Sequence, residues 1–129
     1  MESGLNNFTA YRKALELFDF VVLDLSSLAS RFELSKLVSQ QIASADSIAA
    51  NIEEGYGRGS RKEYAQFLII ARGSAQETLG RYARMRHWIP AATIECRIAL
   101  CNEIIRILTA SIQSLKKTPQ NLPKTATHI

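Results

Sequence analysis

The side chains best suited to chemistry in this 129-residue sequence are basic groups that follow its glycine-rich middle. Guanidinium groups can grip phosphates through two parallel hydrogen bonds, and several acting together make nucleic-acid binding strongly dependent on salt. No helix-turn-helix, zinc-finger or RNA-recognition signature accompanies them, so we expect binding without marked sequence specificity. The predicted nucleic-acid-binding residues are Arg58, Arg61, Lys62, Arg72, Arg81, Arg84 and Arg86.

Charge is distributed unevenly along the chain. Residues 1–55 carry four basic groups and eight acids, whereas residues 56–129 carry twelve basic groups and four acids. The net charge of +4 therefore conceals a polarised molecule, whose basic half would attract nucleic acid or another anionic partner. The alternative, which composition by itself favours, is a solvated surface whose charges are matched within the fold or by a second subunit.

The sequence offers no constellation for catalysis or metal binding. A di-iron bundle site needs Glu-x-x-His pairs, but Arg84 stands three residues before His87, and the second histidine is His128. Cys96 and Cys101 are five residues apart and point in different directions on a helix, so we expect neither a redox pair nor a zinc site. We therefore predict no enzyme, no catalytic residue, no metal and no cofactor.

Apolar periodicity predicts four helices and no strand. Steps of three or four residues run from Tyr11 to Phe32, from Leu37 to Ile52 and from Tyr64 to Met85. Pro90 can open the last helix, in which a heptad seam runs from Ile94 to Leu115. Helices of about 20–27 residues joined by short loops are typical of an all-α, up-down-up-down antiparallel four-helix bundle.

The composition is typical of a soluble protein with one domain. Hydrophobic residues make up 47% and charged residues 22%, which is ordinary for a globular chain. No uninterrupted apolar run approaches the roughly 18–20 residues of a membrane span, and the first residues do not form a secretory signal. We expect a cytoplasmic protein that does not enter the membrane, with a bundle over residues 1–117 and a disordered tail over residues 118–129.

A turn with three glycines separates the second and third predicted helices. Gly55 stands where a residue in the left-handed conformation would end the second helix, and the stretch 55–59 is then a tight connector. Ser60 and Glu63 form a capping box, in which the serine hydroxyl accepts a backbone N–H three residues on and the carboxylate reaches back. A turn-forming role for the glycines is favoured over phosphate binding.

Two polar side chains lie beside this turn. We predict that Asn51 and Glu54 bond backbone groups of the turn, or pair with Arg58, and so fix the angle between the two helices. A polar binding pocket at that end of the bundle is the alternative. The residues predicted to build the turn are Asn51, Glu54, Gly55, Gly57, Ser60 and Glu63.

Two predicted helix faces are too apolar for solvent. The face of the third helix directed away from the core carries glycine, alanine and isoleucine where Lys and Glu are usual. A glycine inside a helix costs about 1 kcal/mol relative to alanine, and close approach of another backbone would compensate. We therefore predict a homo-oligomer. Its interface residues are predicted to be Ala65, Ile69, Gly73, Gly80, Leu100, Ile104 and Ile107.

The residues from Ser47 to Glu77 resemble a known family. They combine an Asn-Ile-x-Glu-Gly-x-Gly-Arg turn over residues 51–58, the capping box, and the helical sequence Ala71-Arg72-Gly73-Ser74 in fixed register. This pattern resembles the bacterial four-helix bundle proteins encoded in intervening sequences of the large-subunit ribosomal RNA gene. With looser similarity elsewhere, the resemblance covers roughly residues 8–116.

The resemblance implies a bundle assembled as a ring of five subunits. It also implies kinship with the accessory variability protein of diversity-generating retroelements, a basic pentamer that engages a reverse transcriptase and nucleic acid. Glu53 departs from the alanine of many members, and residues 39–44 lack the arginines that many members carry in the second helix. These departures leave nucleic-acid binding to the arginines of the third helix.

Our leading hypothesis is a non-enzymatic homopentamer whose basic surface binds RNA or DNA, as an accessory to a nucleic-acid enzyme such as a reverse transcriptase. The alternative is a protein-only scaffold, in which the arginines pair between subunits and the partner is another polypeptide.

Overall fold

The computed structural model describes residues 3–121, and all regular structure in this range is helical. The predicted all-α class is therefore confirmed. Two 3₁₀ turns, Phe32–Leu34 and Met85–His87, join longer elements. The helices are α1 (Ser3–Asn6), α2 (Thr9–Leu25), α3 (Ser35–Tyr56), α4 (Arg61–Arg84) and α5 (Ala91–Asn121).

The four long helices pack side by side in the cyclic order α2, α3, α4, α5, and α5 closes the circle against α2. Paired side chains show that neighbours run in opposite directions. Ser44 on α3 contacts Thr78 on α4, and one turn further along α3, Ser47 contacts Ser74. As the residue number rises along α3, the residue number of the contact on α4 falls, so the two helices are antiparallel.

A single apolar core lies between the long helices. Each helix contributes fully buried side chains, of which Leu17, Ile48, Leu68 and Leu108 are one example each. Burying a side chain of this size stabilises the fold by about 1.5–3 kcal/mol. The core is extended by Leu5 of the short helix α1, an element that periodicity did not predict.

Two predicted boundaries are wrong. Helix α2 ends at Leu25, because Ser26 donates both its backbone N–H and its hydroxyl to the carbonyl of Leu23 and so offers an alternative to the helical pattern. The chain then turns, and Phe32, predicted to lie in the core, is 90% exposed. Helix α5 continues through Asn121, since loss of apolar periodicity ends core packing and not helical hydrogen bonding. Residues 122–129 of the predicted tail lie outside the described residues.

The turn after α3 is built differently from our prediction. Helix α3 continues to Tyr56, and no glycine among the described residues adopts a positive φ, so the predicted left-handed Gly55 is wrong. Gly55 is buried instead, and a Cβ there would lie 2.7 Å from the Cβ of Phe67 and 3.0 Å from Cδ1 of Tyr64. The glycine is needed because α4 packs directly on the backbone of α3.

The capping box at the start of α4 is confirmed in its main contact. The Ser60 hydroxyl accepts the backbone N–H of Glu63 at 3.1 Å. The Glu63 carboxylate accepts from the Ser60 hydroxyl at 3.4 Å, which is a side-chain bond in place of the expected bond to a backbone N–H. The start of α4 is therefore fixed by Ser60.

One carboxylate joins three helices at the far end of the bundle. Asp24 of α2 accepts two bonds from Arg97 of α5, at 2.7 and 3.0 Å, and one from the hydroxyl of Tyr82 of α4 at 2.7 Å. The guanidinium also lies over the ring of Phe20, 3.8 Å from its centroid. Burial and the bond to the carboxylate raise the pKa of Tyr82. Helical periodicity predicts that Tyr82 is buried, as it is, but it predicts none of these bonds.

Among the described residues, one segment, Ala91–Lys117, is long and apolar enough to cross a membrane by length and composition alone. Core helices of soluble proteins pass the same test. Here the helix places Ile94, Cys101 and Leu108 in the core, and it leaves Leu100 half-exposed. The expectation that the protein does not enter a membrane stays a prediction.

Replacing Gly55 with alanine tests the close contact of α3 and α4. The added Cβ would lie only 2.7 Å from the Cβ of Phe67 and must push α4 away, so we expect the free energy of unfolding to fall by about 1–3 kcal/mol in chemical denaturation. Gly59→Ala is the matched control, because no atom lies within 4 Å of a Cβ at that position. Equal stability of the two variants would contradict the packing role of Gly55.

Replacing Asp24 with alanine tests the three-helix junction. The change leaves the largely buried Arg97 charge without its partner, and we expect a loss of about 3 kcal/mol in the free energy of unfolding. Glu33→Ala breaks an ion pair at the surface and serves as the control, which should unfold like the parent protein. A loss of stability no greater than that of the control would show that the junction contributes little.

Candidate nucleic-acid interface

Helix α4 places the predicted basic residues on both flanks of its outward face. Arg61 donates to the carbonyl of Ser114 at 3.4 Å and Arg72 donates to the hydroxyl of Thr109 at 3.3 Å, so both lie against α5. Arg81 lies on the opposite flank, against α3. Lys62 and Arg84 are exposed between the flanks, and Arg86 follows in the 3₁₀ turn. We call these six side chains the basic face.

The partners of the basic face are neutral. Arg61 and Arg86 donate to backbone carbonyls, and Arg72 donates to a hydroxyl. None of the ion pairs found among the described residues involves any of the six side chains. Intramolecular pairing with acids, which the charge alternative assumed, is therefore not seen in this part of the chain, and the positive charge of the face is left uncompensated there.

Arg58 differs from the other predicted binding residues. It forms an ion pair with Glu54 at 2.7 Å, as predicted for the turn, and its guanidinium lies 5.0 Å from the ring centroid of Phe67. Both partners of the pair are about half exposed. Arg58 therefore links the end of α3 to the start of α4, and it adds less net charge to the surface than its neighbours.

Asn51 is structural, but its partners are not those we predicted. Its amide nitrogen donates to the carbonyl of Ser47 at 2.8 Å and to the hydroxyl of Ser47 at 2.9 Å, one turn back along α3 and away from the glycine turn. Glu53 accepts from the hydroxyl of Tyr11 at 2.6 Å. Burial and this bond raise the pKa of Tyr11 to about 12. Glu53 therefore ties α3 to α2.

Two of the predicted interface residues lie inside the bundle. Ala65 is 2% exposed and Ile104 is 0% exposed within the single chain, so neither is available to a second subunit. The cause is that α4 and α5 each pack against two neighbours, which buries a wider arc than one apolar stripe indicates. The other predicted interface residues, Ile69, Gly73, Gly80, Leu100 and Ile107, are half-exposed, and their role in assembly stays a prediction.

The middle of the basic face is flat. No atom lies within 4 Å of the position that a Cβ of Gly73 would occupy, so nothing among its described neighbours requires glycine there. A Cβ at Gly80 would meet only the flexible end of Arg84, at 3.3 Å. The helix therefore carries two glycines whose cost is not offset by packing within the chain, and the surface above them is open to close approach.

A polar feature that sequence analysis missed lies between α3 and α4. Small hydroxyl and amide side chains on the facing sides of the two helices bond to one another across the interface. Their spacing of three and four residues is the signal that could have found them, since a polar stripe at helical spacing is as informative as an apolar one. We call this set the α3–α4 seam. It consists of Gln41, Ser44, Ser47, Asn51, Ser74, Thr78 and Arg81.

The buried bonds of the seam satisfy groups that have no access to water. Gln41 and Thr78 are 0% exposed. The amide nitrogen of Gln41 donates to the carbonyl of Thr78 at 2.9 Å, and the Thr78 hydroxyl donates to the carbonyl of Ser74 at 2.9 Å. Leaving such a group without a partner costs about 1–3 kcal/mol, so the seam fixes the register of the two helices.

Arg81 closes one end of the seam. Its Nη1 donates to the side-chain oxygen of Gln41 and to the hydroxyl of Ser44, both at 3.0 Å, and reaches the carbonyl of Gln40 at 3.3 Å. A shallow groove of about 330 Å³ opens beside it. The groove is lined by Gln40, Ala43, Ser44, Ser47, Ser74, Glu77 and Arg81.

The described residues bring together no group of three or more His, Cys, Asp or Glu side chains that could hold a metal ion. Burial raises the pKa of the Cys101 thiol to about 12, so this thiol is protonated at neutral pH and is not a nucleophile.

Comparisons with known proteins agree with this description. A family model described as 23S rRNA-intervening sequence protein matches residues 6–110. A crystal structure from Bacteroides thetaiotaomicron, titled as a protein with unknown function from the S23 ribosomal protein family, is similar with a TM-score of 0.75 and 25% identity over 81% of this chain and 96% of that chain. A comparison with curated proteins finds no match. The chain thus belongs to the 23S rRNA-intervening sequence protein family.

Proposed function

We propose that this protein is a cytoplasmic, non-enzymatic homo-oligomer that binds nucleic acid through the basic face, without marked sequence specificity, as an accessory to a nucleic-acid enzyme. The observation that carries the proposal is the neutral bonding of the basic face. The guanidinium groups of Arg61, Arg72 and Arg81 are held in place by oxygens that do not neutralise them, so their charge stays available for phosphate.

The dimensions of α4 suit a nucleic-acid backbone. The helix has 24 residues and is therefore about 36 Å long, which is about the length of ten base pairs of duplex. Arg61 and Arg72 lie on one flank of α4 and Arg81 lies on the other, so a sugar–phosphate backbone could follow the helix beside the strip that is predicted to face a second subunit. This geometry contacts phosphates and reads no base edges, which is the pattern of sequence-independent binding.

The remaining charges orient the ligand. Helix α4 carries five basic residues and two acids, Glu63 and Glu77, whereas α2 and α3 together carry three basic residues and six acids. A polyanion is therefore repelled from one side of the bundle and attracted to the other. In a ring of subunits, equivalent basic faces would act together, because binding one face raises the effective concentration of the ligand at the next.

A second candidate function is a protein-only scaffold. It is favoured by exposed apolar side chains on α2, of which Leu15, Val22 and Leu23 are 41%, 46% and 66% exposed. Such a patch suits a polypeptide partner, and it needs no nucleic acid. In this scaffold the cations of the basic face would meet acids of a neighbouring subunit.

Reversing two exposed charges tests nucleic-acid binding. Lys62→Glu with Arg84→Glu alters side chains that form no ion pair among the described residues, so the fold should be unaffected. We expect affinity for labelled RNA and duplex DNA to fall at least about tenfold in fluorescence anisotropy. The slope of log affinity against log salt should fall by about 2 for duplex DNA.

Arg31→Glu with Lys36→Glu is the control, because it makes the same change in net charge on the acidic half of the chain. Equal losses in the two double variants would mean that net charge alone drives binding. Absence of binding by the parent protein at low salt would reject the nucleic-acid proposal and favour the scaffold.

Filling the flat strip of α4 tests self-association. We expect light scattering of the parent protein to give about five times the 14.4 kDa mass of one chain, the ring that the family resemblance implies. Gly73→Phe should reduce the mass to that of single chains while helix content is kept, because a side chain at this position starts from a Cβ that has no atom within 4 Å. Gly73→Ala should keep the assembly. An unchanged mass in Gly73→Phe would show that this strip lies outside the interface.

A further inference from the structure

We propose that the groove between α3 and α4 beside Arg81 is a phosphate-binding site formed by hydrogen-bond donors of both helices. The site rests on the proposed function where the phosphate belongs to nucleic acid, and the same chemistry would accept free phosphate. The family description names no ligand for this groove.

The direction of the Arg81 side chain is the first observation. Arg81 follows Glu77 by four residues, the spacing and order at which a carboxylate and a guanidinium pair on a helix surface. That ion pair is not among those formed by the described residues. The guanidinium instead crosses to α3, where its Nη1 is held by Gln41 and neighbouring oxygens. Its position is therefore fixed at the groove while its charge is kept.

The hydroxyl hydrogens of Thr78 and Ser44, which lie next to Arg81, are both used in hydrogen bonds within the chain. The Thr78 hydroxyl donates its hydrogen to the carbonyl of Ser74, so in the 2.8 Å contact with Ser44 it must accept. The Ser44 hydroxyl is then the donor in that contact, with the carbonyl of Gln41 as a second, longer acceptor at 3.3 Å, and its oxygen accepts from Arg81 at 3.0 Å. Hydrogen bonds run in one direction from Arg81 through Ser44 and Thr78 into the backbone, which holds the guanidinium rigidly.

Ser47 has a hydrogen left over. Its hydroxyl oxygen accepts from the Ser74 hydroxyl and from the Asn51 amide, both at 2.9 Å. With both lone pairs of the oxygen engaged, its own hydrogen is available to the groove that Ser47 lines. The groove therefore presents a hydroxyl donor from α3 and the N–H groups of Arg81 that Nη1 does not use.

A ligand that complements these groups carries several oxygen acceptors and negative charge, and a phosphate group meets both requirements. Glu77 lies at the rim of the same groove and opposes an anion. Its carboxylate would limit affinity without blocking the site, because it does not pair with Arg81. Glu77 is thus expected to weaken phosphate binding, so a variant in which this charge is neutralised should bind phosphate more tightly.

The experiment is an NMR titration of the full chain with inorganic phosphate and, separately, with a short single-stranded RNA. We expect shifts of the amide signals of Ser47, Ser74 and Arg81 in both titrations. Arg81→Gln should weaken binding about tenfold, the typical effect of losing a charged hydrogen-bonding partner. Glu77→Gln should strengthen binding severalfold without affecting the fold. Arg106→Gln is the control, since it removes an equal charge from an exposed position on α5, outside both the groove and the basic face.

The outcomes separate this inference from the proposed function. Phosphate binding at the groove without RNA binding supports the site as one for free phosphate and rejects nucleic acid as its source. RNA binding that is insensitive to both Arg81→Gln and Glu77→Gln overturns the groove and leaves the basic face in place. If Arg81→Gln does not fold, Glu77→Gln decides, and unchanged affinity in that variant overturns the site.

Discussion

The close contact between α3 and α4 is the constraint on which the rest of the structure depends. Gly55 lets the side chains of α4 pack on the backbone of α3, and the helices stay near enough for the α3–α4 seam to form along the interface. A wider separation would leave Gln41 and Thr78 buried without partners. Because the same bonds hold Arg81, the packing of the two helices also determines where a cation meets the groove.

Two arginines show how the same side chain serves different purposes in this fold. Arg97 is bound by the Asp24 carboxylate through two bonds and stacks on Phe20, so its charge is compensated and its role is to join helices. Arg81 is held instead by an amide oxygen, a hydroxyl and a carbonyl. Neutral partners fix a guanidinium without cancelling its field, and this difference separates a structural cation from one that can bind a polyanion.

Features that depend on a single helix could be predicted from the sequence. Features that depend on contacts between helices could not. Helical class, the capping box at Ser60 and the family turn are local patterns, and they were confirmed or recognised. Burial of Ala65 depends on a second neighbour that periodicity does not reveal. Gly55 was read as a turn residue because the position of Phe67 above it is not local information. The seam was missed because polar residues in a helix look like solvent-facing ones until their partners are known.

Assembly and binding are linked in the proposed function. A single basic face with neutral supports and a carboxylate at its rim should bind a phosphate backbone only weakly, since each exposed charged contact is worth little in water. Joining several equivalent faces in a ring can raise overall affinity by about 10² to 10⁴ without any new contact. Under that arrangement, the contact between subunits at Gly73 and Gly80 brings the neighbouring arginines of several subunits together. Nucleic-acid binding by the arginines then depends on subunit assembly through the glycines. The number of assembled subunits, more than any one arginine, would then determine how tightly nucleic acid is held.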